Sequence, residues 1–187
     1  GQMMEPVVFR KKQKTDLPAK TWALTGARER KRNVIKSFYP VKGELEEFNT
    51  KLQKKYREIE AEEVRYEEID TRNADIVIVA YGTSARICRE VLKEAKKQSL
   101  KIGMIRPITL WPFPSHCIEK ISESVQSILT VEMSAGQMVQ DVRLSVNGKC
   151  PVHFYGRTGG GIPSPKEILH KINELIQVKE KVPCGTS

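Results

Sequence analysis

The feature that most constrains the fold of this chain is a set of uninterrupted apolar runs of strand length. The runs DIVIVAYG, KIGMIRP and SILTVEM occupy 75–82, 101–107 and 127–133. A strand with one face in water alternates apolar and polar residues, whereas a continuous run is typical of a strand covered on both faces, usually in a parallel sheet. A membrane-spanning helix needs about 18 consecutive apolar residues, and no run approaches that length.

Segments with helical spacing lie between these runs. Apolar residues at steps of three and four predict an amphipathic helix after Gly43, carried by Leu45, Phe48, Leu52, Tyr56 and Ile59. Two further helices are predicted with Ser84 and Ser115 as their N-caps. A helix with Met138, Val139, Val142 and Val146 inside should end at Asn147–Gly148, and a helix from Ser164 should follow the last strand, VHFYG. This alternation predicts a mostly parallel sheet with helices on both faces.

Positive charge is concentrated at the start of the chain. The protein has 187 residues and a formal net charge of +9, and residues 1–40 carry ten Lys and Arg against three acidic residues. Because Pro6, Pro18, Gly26 and Pro40 also interrupt any period, we predict a basic extended linker over 1–42. The opening GQMMEPVVFR is expected to lie inside a longer polypeptide.

The sequence FYGRTGGGIPSPKEIL places three glycines between a predicted strand and a predicted helix, an arrangement that often holds phosphate. It matches neither common nucleotide pattern, since no lysine follows in register and Pro163 stands where a third dinucleotide glycine would be. A structural interpretation explains more: Ser164 is a natural N-cap, Pro165 suits the first helical position, and Glu167 completes a capping box. Arg157 is the one feature here that suggests an anion.

Other residue types that could carry chemistry are scattered. Cys88, Cys117, Cys150 and Cys184 form no local pair, so we expect small apolar fillers and no metal or iron–sulfur site in this chain. Unpaired thiols suit the cytoplasm. His116, His153 and His170 have no nucleophilic partner evident in sequence and are expected to be structural or surface residues.

Glu132 stands out because it follows a buried strand at the edge where open parallel sheets bind ligands. The next residues, SAGQ, begin a predicted helix whose amides could meet an anion or a partner's carbonyl groups. The alternative is that Glu132 is an interface or capping group. The residues alone leave both interpretations open.

Three stretches, RPITLWPFP, VEMSAGQMVQDVR and YGRTGGGIPSPKEI, closely resemble the alpha-type subunit of 2-oxoacid:ferredoxin oxidoreductases, in particular those acting on 2-oxoisovalerate or 2-oxoglutarate. The resemblance implies a three-layer α/β/α, transketolase C-terminal-like domain at 43–180 and a tail at 181–187. Its five-stranded sheet would have the order 1-3-2-4-5 with the first strand antiparallel. The strands would be Val64–Ile69, Ile76–Tyr81, Ile102–Ile105, Ile128–Val131 and Val152–Tyr155.

By resemblance, the loops at Gly82–Ser84 and Met133–Gly136 would flank the point where the strand order reverses. We therefore expect interface or anion contacts there, and no catalytic or metal-binding residue in this chain. The candidate contact residues are Gly82, Thr83, Ser84, Glu132, Ser134, Gly136, Gln137 and Arg157.

The resemblance also implies a role in a larger enzyme. Such enzymes cleave a 2-oxoacid on thiamine diphosphate with Mg²⁺, pass electrons through iron–sulfur clusters to ferredoxin, and transfer the acyl group to coenzyme A. The pyrimidine-binding domain would precede Gly1, and a thiamine-binding beta subunit and a small ferredoxin-like subunit would be partners. The chain alone is expected to bind none of these cofactors and to be inactive.

Two other classes of function remain open at this point. The basic linker and a pI of 9.4 would suit a nucleic-acid-binding module, although no recognition motif accompanies them. An independent nucleotide-dependent enzyme is disfavoured by the missing phosphate-binding lysine. A weaker hypothesis is that Arg157 or the linker attracts the phosphates of coenzyme A.

Overall fold

The structure is a computed structural model and describes residues 18–180, with side chains described up to Gln177. The chain divides into two compact units, residues 1–48 and 49–187. Cys184 and the tail 181–187 lie outside the described residues, as does the first part of the predicted linker. No helix within 18–180 is both long enough and apolar enough to cross a membrane.

Five strands form one sheet: β1 (Tyr66–Ile69), β2 (Ile76–Ala80), β3 (Ile102–Pro107), β4 (Ser127–Glu132) and β5 (Val152–Gly156). The order is β1-β3-β2-β4-β5, with β1 antiparallel to β3 and the other pairs parallel. The fold class, the order and the antiparallel first strand are confirmed, and strand ends differ from the expected ones by one or two residues.

The helices are α1 (Glu44–Glu62), α2 (Gly82–Lys97), α3 (Ser115–Ser122), α4 (Met138–Val146) and α5 (Pro165–Glu180). Helices α2 and α5 contact each other, as do α3 and α4. Successive residues of β2 point to opposite faces. Ile76 and Ile78 therefore pack with α2 and α5, while Val77 and Val79 pack with α3 and α4. The result is a three-layer α/β/α arrangement.

The predicted core residues of α4 are buried, and α4 ends at Asn147 in a left-handed conformation with Gly148 after it. The helical spacing of α1 is confirmed as well, but none of its residues is buried. Its aromatic side chain at Tyr56 makes an edge contact with Trp111, with ring centroids 5.4 Å apart.

Two predicted N-caps are wrong. Helix α2 begins at Gly82, so Ser84 lies inside its first turn, where it is buried. Helix α3 begins at Ser115 itself, with Pro114 in the cap position, and no side chain caps either helix. In α2 the reason is local: Gly82 has φ +56°, which lets the chain turn directly from β2 into the helix without a capping residue.

Candidate functional site

The candidate site lies at the carboxyl edge of the sheet between β2 and β4. After β2 the chain crosses to β3 on one side, whereas after β4 it crosses to β5 on the other. The strand order therefore reverses between these two strands, which is where open α/β sheets form a crevice. The loops that border it are the start of α2 at Gly82–Ser84 and the segment 133–137 before α4.

Glu132, the last residue of β4, is 1% exposed, and its carboxylate is fully engaged by the loop that follows. Oε2 accepts the backbone N–H groups of Gln137 and Met138 at 3.1 and 3.0 Å, and Oε1 accepts that of Val139 at 3.0 Å. Ser134 donates its hydroxyl to Oε2 at 3.0 Å. The anion at the start of α4 is thus the protein's own carboxylate, so the capping interpretation of Glu132 describes its geometry.

The loop between Glu132 and α4 rests directly on β5. The N–H of Gly136 donates to the Ser134 hydroxyl at 3.1 Å, and Gly136 has φ +107°. A side chain at Gly156 would collide with the Ser134 carbonyl oxygen and the Phe154 ring. Glycine is therefore required at this position because the loop backbone passes so close to β5. The loop packs against β5 and is hydrogen-bonded to the Glu132 carboxylate.

The loop at Gly82–Ser84 is built differently. Gly82 and Thr83 are exposed, and the first-turn amide of Ala85 donates to the Tyr81 carbonyl at 3.2 Å. Within residues 18–180, no hydrogen bond joins this loop to the 133–137 loop. Hydrogen bonds therefore join Glu132, Ser134, Gly136 and Gln137, whereas Gly82, Thr83 and Ser84 make none to these four within the described part of the chain.

Arg157 is placed beside this cluster by its backbone, while its side chain points elsewhere. Its N–H donates to the Glu132 carbonyl at 3.2 Å, but its guanidinium pairs with Glu167 at 2.6 Å. Glu167 also accepts the N–H of Ser164 at 2.7 Å, and the Ser164 hydroxyl accepts the N–H of Glu167 at 3.3 Å. The predicted capping box is confirmed, with Pro165 as the first residue of α5.

These contacts change the acidity of Glu167. The backbone hydrogen bond from Ser164 is the largest influence, and with the Ser164 side chain and the nearby Arg157 charge it lowers the pKa of Glu167 below its usual value. Gly159 and Gly160 have φ +62° and +80°, so two of the three glycines serve the turn conformation predicted for them. The glycine turn is a connection into a capped helix.

The remaining candidate side chains are dispersed. His116 and His170 are exposed on α3 and α5 beside Glu119 and Glu174, and His153 lies on β5. Cys88 is buried, and burial raises its pKa to about 12. Among the described residues, no three His, Cys, Asp or Glu side chains are placed to hold a metal ion.

Two polar features of the structure were not predicted from the sequence. Cys117 donates to Glu68 at 3.4 Å, and Thr71 donates to the same carboxylate at 2.8 Å. Burial, together with the Glu68 charge, raises the pKa of Cys117 to about 12. The second feature is the Thr130 hydroxyl, which is buried without a hydrogen-bond partner. Neither has a local sequence signal, because the partners of Cys117 come from a distant strand and Thr130 is flanked by apolar residues.

Comparison with known proteins shows which family the chain belongs to. Residues 74–168, which run from the start of β2 into α5, match the model of pyruvate:ferredoxin oxidoreductase core domain II. The chain belongs to this core domain II family. The match contains the Glu132 loop, the glycine turn and both loops that border the candidate crevice.

Curated relatives of this core domain II chain are subunits of 2-oxoacid oxidoreductases. Ketoisovalerate oxidoreductase subunit VorB of Methanothermobacter marburgensis is 41% identical over 175 residues, which is 94% of this chain and 49% of that subunit. 2-Oxoglutarate synthase subunit KorA of the same organism is 37% identical over 102 residues, covering 54% of this chain and 27% of that subunit. The chain spans about half the length of the VorB subunits that it matches.

Two solved structures share the core domain II fold. The 2-oxoglutarate:ferredoxin oxidoreductase from Magnetococcus marinus, solved with 2-oxoglutarate, coenzyme A and succinyl-CoA bound, matches with a TM-score of 0.60 at 18% identity, over 74% of this chain and 24% of that one. A split-gene transketolase, as an inactive β4 tetramer, matches with a TM-score of 0.51 at 15% identity, over 62% of this chain and 42% of that one. These likenesses confirm the transketolase-like fold.

Proposed function

We propose that this chain is the C-terminal part of the alpha-type subunit of a 2-oxoacid:ferredoxin oxidoreductase acting on 2-oxoisovalerate. The observation that carries the proposal is the extent of similarity to the ketoisovalerate subunit, which covers 94% of this chain, against 54% for the 2-oxoglutarate subunit. The whole enzyme would convert its 2-oxoacid to an acyl-CoA while reducing ferredoxin, in the cytoplasm. Thiamine diphosphate with Mg²⁺, iron–sulfur clusters and coenzyme A would supply that chemistry.

Within that enzyme, the domain at 43–180 would serve assembly and positioning. Two groups at its carboxyl edge that could bind an anionic cofactor are already paired within the chain: the first amides of α4 with Glu132, and Arg157 with Glu167. An incoming diphosphate would have to displace a buried carboxylate from three N–H donors. The Glu132 loop and Arg157 therefore do not fit such a group.

Exposed apolar side chains support a docking role for the same edge. Ile108, Leu110 and Trp111 follow β3, Met133 follows β4 and Ile162 follows β5, and each is at least 41% exposed. The carboxyl ends of parallel strands meet at one edge of a sheet, so these residues belong to one side of the domain. Several exposed apolar side chains on one side of a domain are typical of an interface with another polypeptide. Thr83, Gln137 and Arg157 would be rim contacts, with a thiamine-binding beta subunit and a small ferredoxin-like subunit as the expected partners.

A chimeric enzyme tests the proposal. In the Methanothermobacter marburgensis ketoisovalerate oxidoreductase, the part of VorB that aligns with this chain would be replaced by this chain. Reduction of a viologen dye would be followed with 2-oxoisovalerate and coenzyme A. We expect turnover by the chimera, no turnover by the isolated chain, and less turnover with 2-oxoglutarate.

The control is the same chimera with Ile162→Glu, which places a charge in the expected interface at a side chain that is 58% exposed while leaving the buried core unchanged. Loss of co-purification with the other subunits is expected for this variant. Turnover of a 2-oxoacid by the isolated chain would disprove the assembly role. An assembled but inactive wild-type chimera would count against the positioning role.

A further inference from the structure

The segment 18–43, here named the basic arm, contains no helix or strand but is folded back on itself by side chains. Asn33 donates its amide to the carbonyl groups of Thr21 and Ala23 at 2.8 and 3.1 Å. Arg30 donates to the Ala23 carbonyl at 3.2 Å and to the Thr25 hydroxyl at 3.3 Å. Two legs of chain, around 21–25 and 30–35, are thereby held side by side.

The basic arm exposes most of its large apolar side chains to water. Trp22 is 66% exposed and Phe38 is 76% exposed, and the same holds for Leu24, Val34, Ile35 and Val41 at 66–71%. Single exposed apolar residues are ordinary, but six in one short segment form a surface that gains free energy when another surface covers it.

A cleft lies between the two legs. It has a volume of about 350 Å³ and is lined by Leu24, Gly26, Ala27, Arg30, Arg32, Asn33, Val34 and Ile35. The cleft therefore has aliphatic side chains on both legs, Leu24 on one and Val34 and Ile35 on the other, together with the polar side chains of Arg30, Arg32 and Asn33. A cleft of this size falls at the lower end of the range of small-ligand sites and suits one or two apolar side chains.

The charges around this cleft are mostly positive. The basic arm contains seven Lys and Arg residues and a single acidic residue, Glu29. Within residues 18–180, Lys20, Arg28, Lys31 and Arg32 are exposed and make no ion pair with a carboxylate. A partner that supplies both apolar side chains and carboxylates would complement both the apolar surface and the positive charge of the arm.

We propose that the basic arm binds an extended acidic segment of another polypeptide, whose apolar side chains fill the cleft and whose carboxylates pair with Arg28 and Arg32. Nucleic acid would also pair with the cations, but bases bind by stacking on aromatic rings, and none of the eight residues that line the cleft is aromatic. The aliphatic lining therefore favours a polypeptide. This inference stands apart from the oxidoreductase assignment and does not require it.

A fluorescence assay on the full chain tests the proposal. Trp22 and Trp111 are the two tryptophans, so a Trp111→Phe variant leaves Trp22 as the sole tryptophan emitter. The probe is a labelled peptide of about ten residues that alternates Glu with Leu or Val. The matched control peptide has Gln in place of each Glu. At about 0.15 M salt we expect the Glu peptide to bind and to shift Trp22 emission to shorter wavelength, and the Gln peptide to bind about tenfold more weakly.

Variants separate the charge contribution from the apolar one. Arg28→Glu with Arg32→Glu should weaken binding of the Glu peptide at least about tenfold. The matched control is Lys54→Glu with Lys101→Glu, an equal charge change at exposed positions of the 49–187 unit, which should weaken it less than about twofold. Val34→Ser with Ile35→Ser should reduce both the affinity and the emission shift.

Four results would overturn the proposal. They are equal binding of the Glu and Gln peptides, equal effects of the arm and control charge reversals, tighter binding of a labelled single-stranded oligonucleotide than of the Glu peptide, and Trp22 emission that is already short-wavelength in the unbound chain. None of these results depends on turnover, so a failure here is distinguishable from a failure of the chimeric enzyme.

Discussion

At the scale of single residues, the carboxylate of Glu132 links a strand end, a loop and a helix start. It accepts three N–H groups and one hydroxyl at 3.0–3.1 Å while being almost completely buried. Hydrogen bonds to a charged group typically contribute about 1.5–3 kcal/mol each, and a buried donor that loses its partner is costly. The conformation of 133–137 therefore depends on this one side chain.

Glu132→Gln should lower the free energy of unfolding by about 2–4 kcal/mol, because the amide nitrogen that replaces one oxygen cannot accept an N–H. Urea denaturation followed by circular dichroism measures this. Glu60→Gln, at an exposed position of α1, is the matched control and should change stability by less than about 0.5 kcal/mol. Equal effects of the two substitutions would show that the Glu132 contacts are not stabilising.

Thr130 gives a prediction of the opposite sign. Its side chain is 0% exposed at the centre of β4 and its hydroxyl has no partner. Thr130→Val should therefore raise the free energy of unfolding by about 1 kcal/mol, since an unsatisfied hydroxyl is replaced by a methyl group of similar size. Thr130→Ser keeps the hydroxyl, loses a methyl group, and should lower stability by about 1 kcal/mol. Destabilisation by Thr130→Val would mean that the hydroxyl is satisfied after all.

At the scale of elements, the start of α5 makes stability depend on pH. The folded-state pKa of Glu167 is lowered, first by the backbone hydrogen bond from Ser164, so the ionised form is favoured by folding. Its contribution is fully present above the ordinary pKa of 4.5 and is lost as pH falls through the lower folded value.

Glu167→Gln retains a capping-box acceptor but removes the charge. We expect the difference in unfolding free energy between wild type and this variant to be constant above about pH 5 and to shrink as pH falls below 4.5. Urea unfolding at a series of pH values measures this difference. If the difference stayed constant down to about pH 3, which is about 1.5 pH units below the ordinary pKa, that result would contradict the assigned pKa shift.

The elements also show what the sequence alone could and could not predict. The buried strands were predictable because β2, β3 and β4 are continuous apolar runs, and the α5 cap because Ser164 and Glu167 are three residues apart. Their order in the sheet came from the family resemblance, since apolar runs do not specify neighbours. The cap of α2 was missed because the positive φ of Gly82 starts the helix two residues before Ser84.

The site was predictable only in part for a similar reason. A glutamate at the end of a buried strand indicates a special position, but whether it binds a ligand or its own chain depends on where the next five to seven residues return. The Arg157–Glu167 pair likewise depends on the path of the glycine turn. These contacts are set by backbone geometry that no residue pattern specifies.

At the scale of the whole molecule, the two units differ in how their chain is held. The 49–187 unit, here called the sheet unit, buries large side chains on both faces of the sheet, such as Ile78 and Ile105. The basic arm instead exposes most of its large apolar side chains. Segments with little burial and few backbone hydrogen bonds open at low free energy and are cut first by proteases. The predicted boundary near 42–43 can therefore be tested directly.

Limited trypsin digestion of the full chain should make its first cuts within 18–180 after the exposed cations between Lys20 and Lys36, where no helix or strand protects the backbone. Mass spectrometry of the products locates the cuts. The remaining fragment should keep its thermal midpoint within about 3 °C of the intact chain, because the apolar core of the sheet unit is untouched. First cuts within 66–177, or a fragment that no longer unfolds cooperatively, would show that the arm is required for the stability of the sheet unit and that the boundary is misplaced.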